Sequence, residues 1–200
     1  MWIAISGTPG SGKNFISETL VRNSYEFIED PTFSQEGLSQ IDIELRFSWA
    51  RLRTQLDAYD LINRKNIVTH KTFWDSKVFV EMAYRFEKIS QKEFSLFNFF
   101  YDQIKDRLQP PNALIWMKTP RMNAYNRMLL RTGEVQMNDL EFSALQDLYE
   151  KFVSDVKIPV IEIDASQKTE ELKKELEFGL SSIQATRGDS HSVWKRRFFY

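Results

Sequence analysis

A glycine-rich segment near the start of the chain has the residue types and spacing of a phosphate-binding loop. Residues 6–15 read SGTPGSGKNF, in which Gly7, Gly12 and Lys13 form the pattern Gly-x-x-x-x-Gly-Lys. Glycines let a backbone wrap closely around a phosphate, and a following helix adds N–H groups and partial positive charge. Lys13 supplies a full charge for the outer phosphates. The residues expected to bind a nucleotide are Gly7, Thr8, Pro9, Gly10, Ser11, Gly12, Lys13 and Asn14.

Asn14 stands where a serine or threonine hydroxyl normally binds magnesium in such a loop. Its amide oxygen is a hard, neutral acceptor that can ligate Mg²⁺ or a water of its shell. Magnesium also keeps waters and takes nucleotide phosphates as ligands, so one altered protein ligand need not abolish binding. We therefore expect ATP and Mg²⁺ as cofactors, with weakened metal use. A dinucleotide fingerprint is absent because Phe15 replaces its third glycine.

A carboxylate follows the second apolar run, at Glu29-Asp30-Pro31. Ligands of open parallel sheets bind at the carboxyl ends of strands, so Asp30 is well placed to accept a proton from an attacking hydroxyl. The alternative interpretation is a turn aspartate before proline.

Polar residues four apart share helix faces at two further places. Arg127 and Arg131 form one such pair, which would close over a triphosphate and neutralise developing charge. Arg51 and Gln55 form the other, with Glu44 seven residues before Arg51, and these three would line an acceptor pocket. For both sets the alternative is a solvated face.

Short apolar runs alternate with segments of helical period, which indicates an α/β domain with a parallel sheet. The expected strands are residues 2–6, 26–29, 66–69, 113–117 and 160–163. The expected helices are residues 13–23, 45–59, 78–88, 93–108, 120–131, 138–156 and 169–184. In the helix at 45–59, apolar residues at 45, 49, 52, 56 and 59 form one stripe. Thr119 is expected to cap one helix with Pro120 at its first position, and Asn138 to cap the next.

We expect one domain at residues 1–185 with a lid at about 127–138. Residues 186–200 are basic and aromatic, and we expect this tail to fold back on the domain or to contact another subunit. The alternative is contact with a membrane surface or another partner. Aromatic residues at 94, 97, 100 and 101 are expected in the core.

The 200-residue chain has a formal net charge of −1, no cysteine and two histidines. This balance favours a small-molecule partner over a nucleic-acid polymer or a membrane surface. The absence of cysteine excludes disulfides and thiolate chemistry. The first residues do not resemble a signal peptide, and no apolar run is long enough to span a bilayer. We therefore expect a cytoplasmic protein.

These motifs, in this order, resemble the deoxynucleoside kinase family from about Ile3 to Asp164. Asp30-Pro31 falls on the family's Glu-Pro pair, and residues 50–56, ARLRTQL, are similar to its Ser-Arg-x-Arg-x-Gln-Leu motif. Residues 115–120, IWMKTP, and 125–131, YNRMLLR, are similar to its strand, proline and paired lid arginines. Residues 160–164, VIEID, resemble the strand before its adenine contacts.

The resemblance implies a five-stranded parallel sheet with helices on both faces, a helical lid and a homodimer formed through the long helices. It implies Asp30 as the base for a 5′-hydroxyl. Two motifs depart from the family. Ile43-Glu44 replaces a base-reading Phe-Gln pair, and His70-Lys71-Thr72 replaces Glu-Arg-Ser. Lys71 keeps a positive charge near the acceptor but lacks the bidentate fork of arginine. His70 replaces a carboxylate that organises the metal, whose shell would then use Asp30 or Asp75.

Three functions fit these features. The first is ATP-dependent phosphorylation of the 5′-hydroxyl of a deoxynucleoside, with Lys13, Asp30, Lys71 and Arg127 as catalytic residues. The second is a nucleoside monophosphate kinase, for which Lys71, Arg51 or Arg46 would supply the extra positive charge. The third is a nucleotide-binding protein without catalysis, favoured by Asn14, His70 and Lys71. The residues leave open the acceptor base and the choice between ATP and GTP.

Overall fold

The computed structural model describes residues 1–133 and 137–189, and it confirms the α/β fold. A parallel sheet of five strands has the order β2-β3-β1-β4-β5. The strands are β1 Trp2–Ser6, β2 Tyr25–Ile28, β3 Asn66–His70, β4 Ala113–Lys118 and β5 Val160–Asp164. The central strand β1 is buried along its whole length, as a strand covered on both faces must be. Because all five strands are parallel, their carboxyl ends lie at one edge of the sheet.

Seven helices connect the strands in the described residues. They are α1 Lys13–Arg22, α2 Gln40–Leu61, α3 Asp75–Arg85, α4 Gln91–Lys105, α5 Arg121–Thr132, α6 Asp139–Asp155 and α7 Thr169–Asp189. Ser39, Ser90 and Asn138 begin α2, α4 and α6 with capping boxes. In each box a side-chain oxygen accepts from the backbone at the third helical position, which satisfies an otherwise unpaired donor. The predicted cap at Asn138 is confirmed.

The predicted cap at Thr119 is wrong. Pro120 is the N-cap residue of α5, and the helix begins at Arg121. The Thr119 hydroxyl is buried and donates to the carbonyl oxygen of Ser11 at 3.2 Å. Thr119 therefore joins the end of β4 to the glycine-rich segment instead of capping its own helix.

Alternating side chains divide the core into two layers around the sheet. Ile3 and Ile5 of β1 face one layer, where they meet apolar residues of α1 and α7. Trp2 faces the other layer with Ala58 of α2, and Trp116 meets Tyr149 of α6 there. A satellite cluster among α2, α3 and α4 contains the predicted core aromatics. Phe97 and Tyr101 are buried in it, and Phe94 and Phe100 pack against it.

On helix α2, polar residues are buried against the rest of the protein, and much of the apolar stripe is exposed to solvent. Trp49, Leu56 and Tyr59 have exposed fractions of 56%, 49% and 47%, although Leu52 is buried. The buried side of α2 instead contains polar residues, namely Glu44, Ser48, Arg51, Thr54 and Gln55. Burial of charged and polar groups is costly without partners, so this face indicates a built site beneath α2.

Parts of the predicted lid and tail lie outside the described residues. These are residues 134–136 of the lid and residues 190–200 of the tail. Helix α7 continues to Asp189, beyond the expected end at residue 184, so the first tail residues are helical. Among the described helices, none combines the length and apolarity that crossing a membrane requires.

The close packing of Gly10 against α5 generates a stability prediction. Gly10 has φ +73°, and a Cβ atom there would lie 2.3 Å from the carbonyl oxygen of Ala124. We expect Gly10→Ala to lower the free energy of unfolding by roughly 2–4 kcal/mol, from left-handed backbone strain plus overpacking. Urea denaturation measures this free energy.

Gly37→Ala is the matched control, because Gly37 has φ +72° and nothing within 4 Å of its added Cβ. It should cost only the strain, about 1 kcal/mol. Equal losses in the two variants would show that the approach of α5 to Gly10 is not tight.

Candidate active site

The glycine-rich segment curls between β1 and α1, at the carboxyl edge of the sheet. Gly7, Gly10 and Gly12 have φ values of +153°, +73° and +92°, conformations that side chains disfavour. The backbone N–H of Ser11 donates to the carbonyl oxygen of Thr8 at 3.2 Å. Thr8 is also buried, and its hydroxyl oxygen has no hydrogen-bond partner in the protein. The segment thus has the form of an anion-binding cradle with an unused polar group.

The Lys13 side chain folds back into this cradle. Its Nζ donates to the carbonyl oxygens of Gly7 at 3.0 Å and Thr8 at 2.8 Å, and to Oγ of Ser11 at 3.2 Å. Burial lowers the pKa of Lys13 to about 8, the Asp75 carboxylate opposes that shift, and the charge of Arg131 adds to it. An anion bound in the cradle would favour the protonated lysine and raise this pKa.

Arg127 connects helix α5 to the cradle. Its Nη2 donates to the carbonyl oxygen of Ala165 at 2.6 Å, and its Nη1 donates to those of Ser11 at 3.4 Å and Gly10 at 3.5 Å. Arg131 lies one turn further along α5, where its charge lowers the pKa of Lys13. The structure therefore brings both predicted lid arginines to the predicted phosphate site.

The predicted base and Lys71 lie on the acceptor side of the same cleft. Burial raises the pKa of Asp30, and three neighbours oppose that shift: the Thr54 hydroxyl and the charges of Arg51 and Lys71. Burial lowers the pKa of Lys71 well below its usual value, and the charges of Arg51 and Lys13 lower it further. The charges of Asp75 and Asp30 raise it in part. Charged groups on both the predicted phosphate side and the predicted acceptor side of the cleft therefore shift the pKa of Lys71.

Arg51 reaches this cleft from the buried face of α2. Its Nη1 donates to Oγ of Ser76 at 3.0 Å, and its guanidinium lies 4.8 Å from the centre of the Phe79 ring. The Lys71 ammonium lies 4.1 Å from the centre of the same ring. The electron-rich face of an aromatic ring stabilises nearby cations, which helps two positive charges to remain close together.

Glu44 is a second buried carboxylate on this face of α2. Burial raises its pKa, and the charge of Arg51 and a hydrogen bond from Gln40 oppose that shift. Nε2 of Gln40 donates to Oε1 of Glu44 at 2.7 Å. Glu44 thus lies within electrostatic reach of Arg51, as the predicted acceptor pocket requires.

Several buried polar atoms around Asp30 have no hydrogen-bond partner in the protein. They are Oδ1 of Asp30, Nε of Arg51 and Oγ1 of Thr54. The Thr54 hydroxyl lies close enough to lower the pKa of Asp30, yet it does not complete a hydrogen bond. Nearly all buried polar groups in folded proteins are paired, so this cluster marks a place for a polar ligand.

Gln55 does not join the other predicted acceptor residues. Its Nε2 donates to the carbonyl oxygen of Gln109 at 3.0 Å, and its Oε1 accepts from the backbone N–H of Phe73 at 3.1 Å. The amide nitrogen and the amide oxygen of Gln55 therefore each bond to the backbone of another segment. Sequence reasoning missed Thr54, Ser76 and Phe79 in this region. The available signal for Thr54 was its position three residues after Arg51, on the same helix face.

His70, at the end of β3, contacts the helix that follows the cradle. Its Nε2 lies 3.1 Å from Oγ of Ser17, and its ring centre lies 4.7 Å from that of Phe27. Burial lowers the pKa of His70 to about 4, and the charges of Lys13 and Lys71 add to this effect. His70 is therefore neutral at pH 7, and it lines an open cavity of about 450 Å³ with Asn14 and Glu29.

The comparison with known families agrees with this geometry. The family model described as deoxynucleoside kinase matches residues 3–178. The chain belongs to the deoxynucleoside kinase family. It is similar to the probable deoxycytidine kinase FPV151 of fowlpox virus (strain NVSL), with 24% identity over 81% of this chain and 77% of the relative.

Solved structures of M. mycoides deoxyadenosine kinase have the same fold as this kinase. The structure with bound dATP has a TM-score of 0.77 and 21% identity, covering 90% of this chain and all of that one (100%). The structure with the product dCMP and a flexible dCDP has a TM-score of 0.75 and 20% identity, covering 92% and 100%. The predicted family and fold are confirmed.

The metal ligands that this kinase offers are few. Asn14 is exposed on the first turn of α1. In residues 1–133 and 137–189, no group of three or more His, Cys, Asp or Glu side chains is arranged to hold a metal ion. Asp75, a predicted alternative ligand, is fully buried and accepts hydrogen bonds from protein groups at both oxygens. The residues present therefore fit a magnesium ion bound mainly by nucleotide oxygens.

The buried, neutral His70 predicts a loss of stability in acid. As pH falls below 6.5, an unfolded His70 takes up a proton, whereas the folded one does so only near pH 4. Stability is therefore lost between these pH values. We expect His70 to account for about 1–2 kcal/mol of destabilisation between pH 7 and pH 5, measured by urea unfolding.

His70→Gln is the control, because glutamine stays neutral throughout this range. Its free energy of unfolding should fall less than that of the parent between the two pH values. The same fall in both proteins would contradict the assigned environment of His70.

Proposed function

We propose that this kinase transfers the γ-phosphoryl group of ATP to the 5′-hydroxyl of a deoxynucleoside. The observation that carries the proposal is that the Lys13 ammonium lies in the glycine-rich cradle at the carboxyl edge of the sheet, in the same cleft as Asp30 and Lys71. Lys13 lies in the phosphate cradle, and Asp30 lies beside a cluster of unpaired polar groups. Phosphoryl transfer needs a donor phosphate site and a base for the acceptor in one cleft, and these residues supply both.

On the donor side, the cradle binds the triphosphate through backbone N–H groups and Lys13. The ammonium of Lys13 exchanges carbonyl partners for phosphate oxygens, which form stronger, charge-assisted hydrogen bonds. Arg127 already bonds to the cradle backbone, and Arg131 lies near enough to shift the pKa of Lys13. These two arginines neutralise the charge that develops on the transferring group.

On the acceptor side, Asp30 accepts the proton of the 5′-hydroxyl. Its raised pKa suits this role, because a base works best when its pKa approaches the operating pH. Arg51, Thr54 and Glu44 provide the unpaired or charged groups that would orient the deoxynucleoside. The positive charges of Arg51 and Lys71 favour the ionised form of Asp30. Lys71 and Lys13 attract the phosphoryl oxygens.

Magnesium would complete the donor side, with Asn14 as the protein ligand beside the bound nucleotide. Bound there, the ion supplies charge neutralisation for the nucleotide phosphates. A neutral amide is a weaker ligand than a carboxylate, so binding should depend chiefly on the nucleotide. Turnover that persists undiminished after chelation of divalent ions would contradict this assignment.

Assays with different acceptors distinguish a nucleoside kinase from a nucleoside monophosphate kinase. Lys71 and Arg51 add positive charge on the acceptor side, and this charge favours a monophosphate as the second candidate. The assay measures ADP formation from ATP and Mg²⁺ with each deoxynucleoside and each deoxynucleoside monophosphate. We expect turnover with at least one deoxynucleoside. Turnover with monophosphates alone would overturn the proposal.

The role of Asp30 predicts a large loss of rate in Asp30→Asn. An amide cannot accept the proton of the hydroxyl, so we expect kcat to fall by roughly a hundredfold or more. Steady-state kinetics with the best acceptor measures this loss.

Glu29→Gln is the matched control, since Glu29 is the adjacent, exposed carboxylate. It should leave kcat within about threefold of the parent if Asp30 is the base. A reversed pattern, with Glu29→Gln inactive and Asp30→Asn active, would transfer the role to Glu29.

We also propose that a second copy of the chain covers the outer face of α2. Trp49, Leu56 and Tyr59 expose about half of their surface there, and the Trp49 ring lies 5.5 Å from that of Phe100 on α4. Exposed aromatic and aliphatic residues grouped in this way mark association surfaces. The patch would therefore be buried in a homodimer.

The dimer proposal predicts that Trp49→Glu converts a two-chain particle to a single chain, measured by light scattering after size exclusion. Leu130→Glu is the control, because Leu130 is 88% exposed on α5, away from α2. A monomeric parent, or a dimer unaffected by Trp49→Glu, would contradict the assigned interface.

A further inference from the structure

Asp75 is a buried carboxylate that the proposed chemistry does not use. It is the first residue of α3, and its side chain has no exposed surface (0%). Its Oδ2 accepts from Oγ of Ser6 at 3.0 Å, from the backbone N–H of Thr72 at 2.7 Å and from Oγ1 of Thr72 at 2.8 Å. Its Oδ1 accepts from the hydroxyl of Tyr149 at 3.1 Å. Such a carboxylate is costly to bury, and these four bonds offset the cost.

The partners of Oδ2 lie directly beneath the catalytic cleft. Ser6 is the last residue of β1 and immediately precedes Gly7, where the phosphate cradle begins. Thr72 immediately follows Lys71, whose φ of +59° is strained for a residue with a side chain. One oxygen atom therefore holds both the start of the cradle and the turn that directs Lys71. Because β1 and β3 are neighbouring strands, this link crosses between two parts of the site.

The partner of Oδ1 has a different place in the fold. Tyr149 lies on α6 and packs against Trp116 in the core and against Phe79, the ring that also meets Arg51 and Lys71. It does not belong to the cradle or to the Lys71 turn. Oδ2 therefore bonds directly to the cradle side and to the turn, whereas Oδ1 bonds to a buried tyrosine outside both.

The charge of Asp75 also acts on the cleft. Its field raises the pKa of both Lys13 and Lys71, in opposition to burial and to the neighbouring cations. A negative charge beneath two desolvated lysines stabilises their protonated forms without occupying the space that a ligand needs. The hydrogen bonds and the charge therefore favour the same arrangement of the cleft.

We propose that Asp75 is a positioning residue for phosphoryl transfer, which uses Oδ2 to hold the start of the phosphate cradle and the Lys71 turn in register. This role rests on the proposed function, since it concerns the same reaction. Asp75 acts through Ser6 and Thr72 and does not itself contact the reacting groups.

Two variants test the roles of the two Asp75 oxygens separately. Ser6→Ala removes a hydroxyl from Oδ2 and detaches the cradle, whereas Tyr149→Phe removes a hydroxyl from Oδ1. We expect Ser6→Ala to lower kcat by about fivefold or more while the KM for ATP stays within about threefold, because misplacement costs alignment before affinity. Tyr149→Phe should keep kcat within about twofold.

Asp75→Asn tests the charge with little change of shape. Its amide oxygen can keep the bonds from Ser6 and Thr72, and the Tyr149 hydroxyl can rotate to accept from the new amide. We expect kcat to fall by about tenfold, since the two lysines lose their buried negative partner. If this variant does not fold, the comparison of Ser6→Ala with Tyr149→Phe decides the question.

A readout that needs no turnover separates this proposal from the proposed function. In hydrogen exchange, the amides of residues 7, 8 and 10–12 should exchange faster in Ser6→Ala than in the parent, and at the parent rate in Tyr149→Phe. A parent without turnover on any acceptor would end the proposed function, and exchange would still test the link to the cradle. Equal exchange in all three proteins, or equal losses of kcat in Ser6→Ala and Tyr149→Phe, would overturn the positioning role.

Discussion

The site depends on the burial of the Lys13 ammonium inside a loop that offers it only neutral oxygen partners. Removing a cation from water is costly, and carbonyl groups repay only part of that cost. The lowered pKa of Lys13 records this imbalance. The positive charge of Arg131 increases it. Lys13 in turn lowers the pKa of Lys71 in the same cleft. A polyphosphate entering the cradle would relieve desolvation and repulsion together, so the site is arranged to favour an anionic ligand.

The same constraint explains why α2 carries polar residues on its inner face. A cleft rich in positive charge needs carboxylates and polarisable groups nearby, and Glu44 lies within reach of Arg51 on this helix. Phe79 adds an aromatic face between Arg51 and Lys71. An apolar inner face would pack better but would leave these cations without compensation. The apolar residues of α2 are consequently displaced to its outer side, where Trp49, Leu56 and Tyr59 remain exposed.

The sequence predicted the parts of the structure that local pattern determines. All five strands were placed within one residue of their observed ends, because buried parallel strands form short apolar runs. The cradle was predictable because its glycines and Lys13 are contiguous. The direction of side chains on α2 was not, since a stripe shows which residues share a face but not which face meets the core. Gln55 and Thr119 show the same limit, because their backbone partners are distant in sequence, at Gln109 and Ser11.

His70 and Lys71 depart from the family's Glu-Arg-Ser motif, and together the two departures affect the charge of the cleft. A carboxylate at position 70 would face Lys13 and Lys71 and lower the net positive charge of the cleft. His70 is neutral there and bonds to Ser17, so it secures α1 without adding or removing charge. The negative charge near Lys71 instead comes from Asp75 and Asp30. Asp75 lies below the lysines and is held by hydroxyl and N–H donors of the protein, so it compensates their charge without filling the space that a polyphosphate needs.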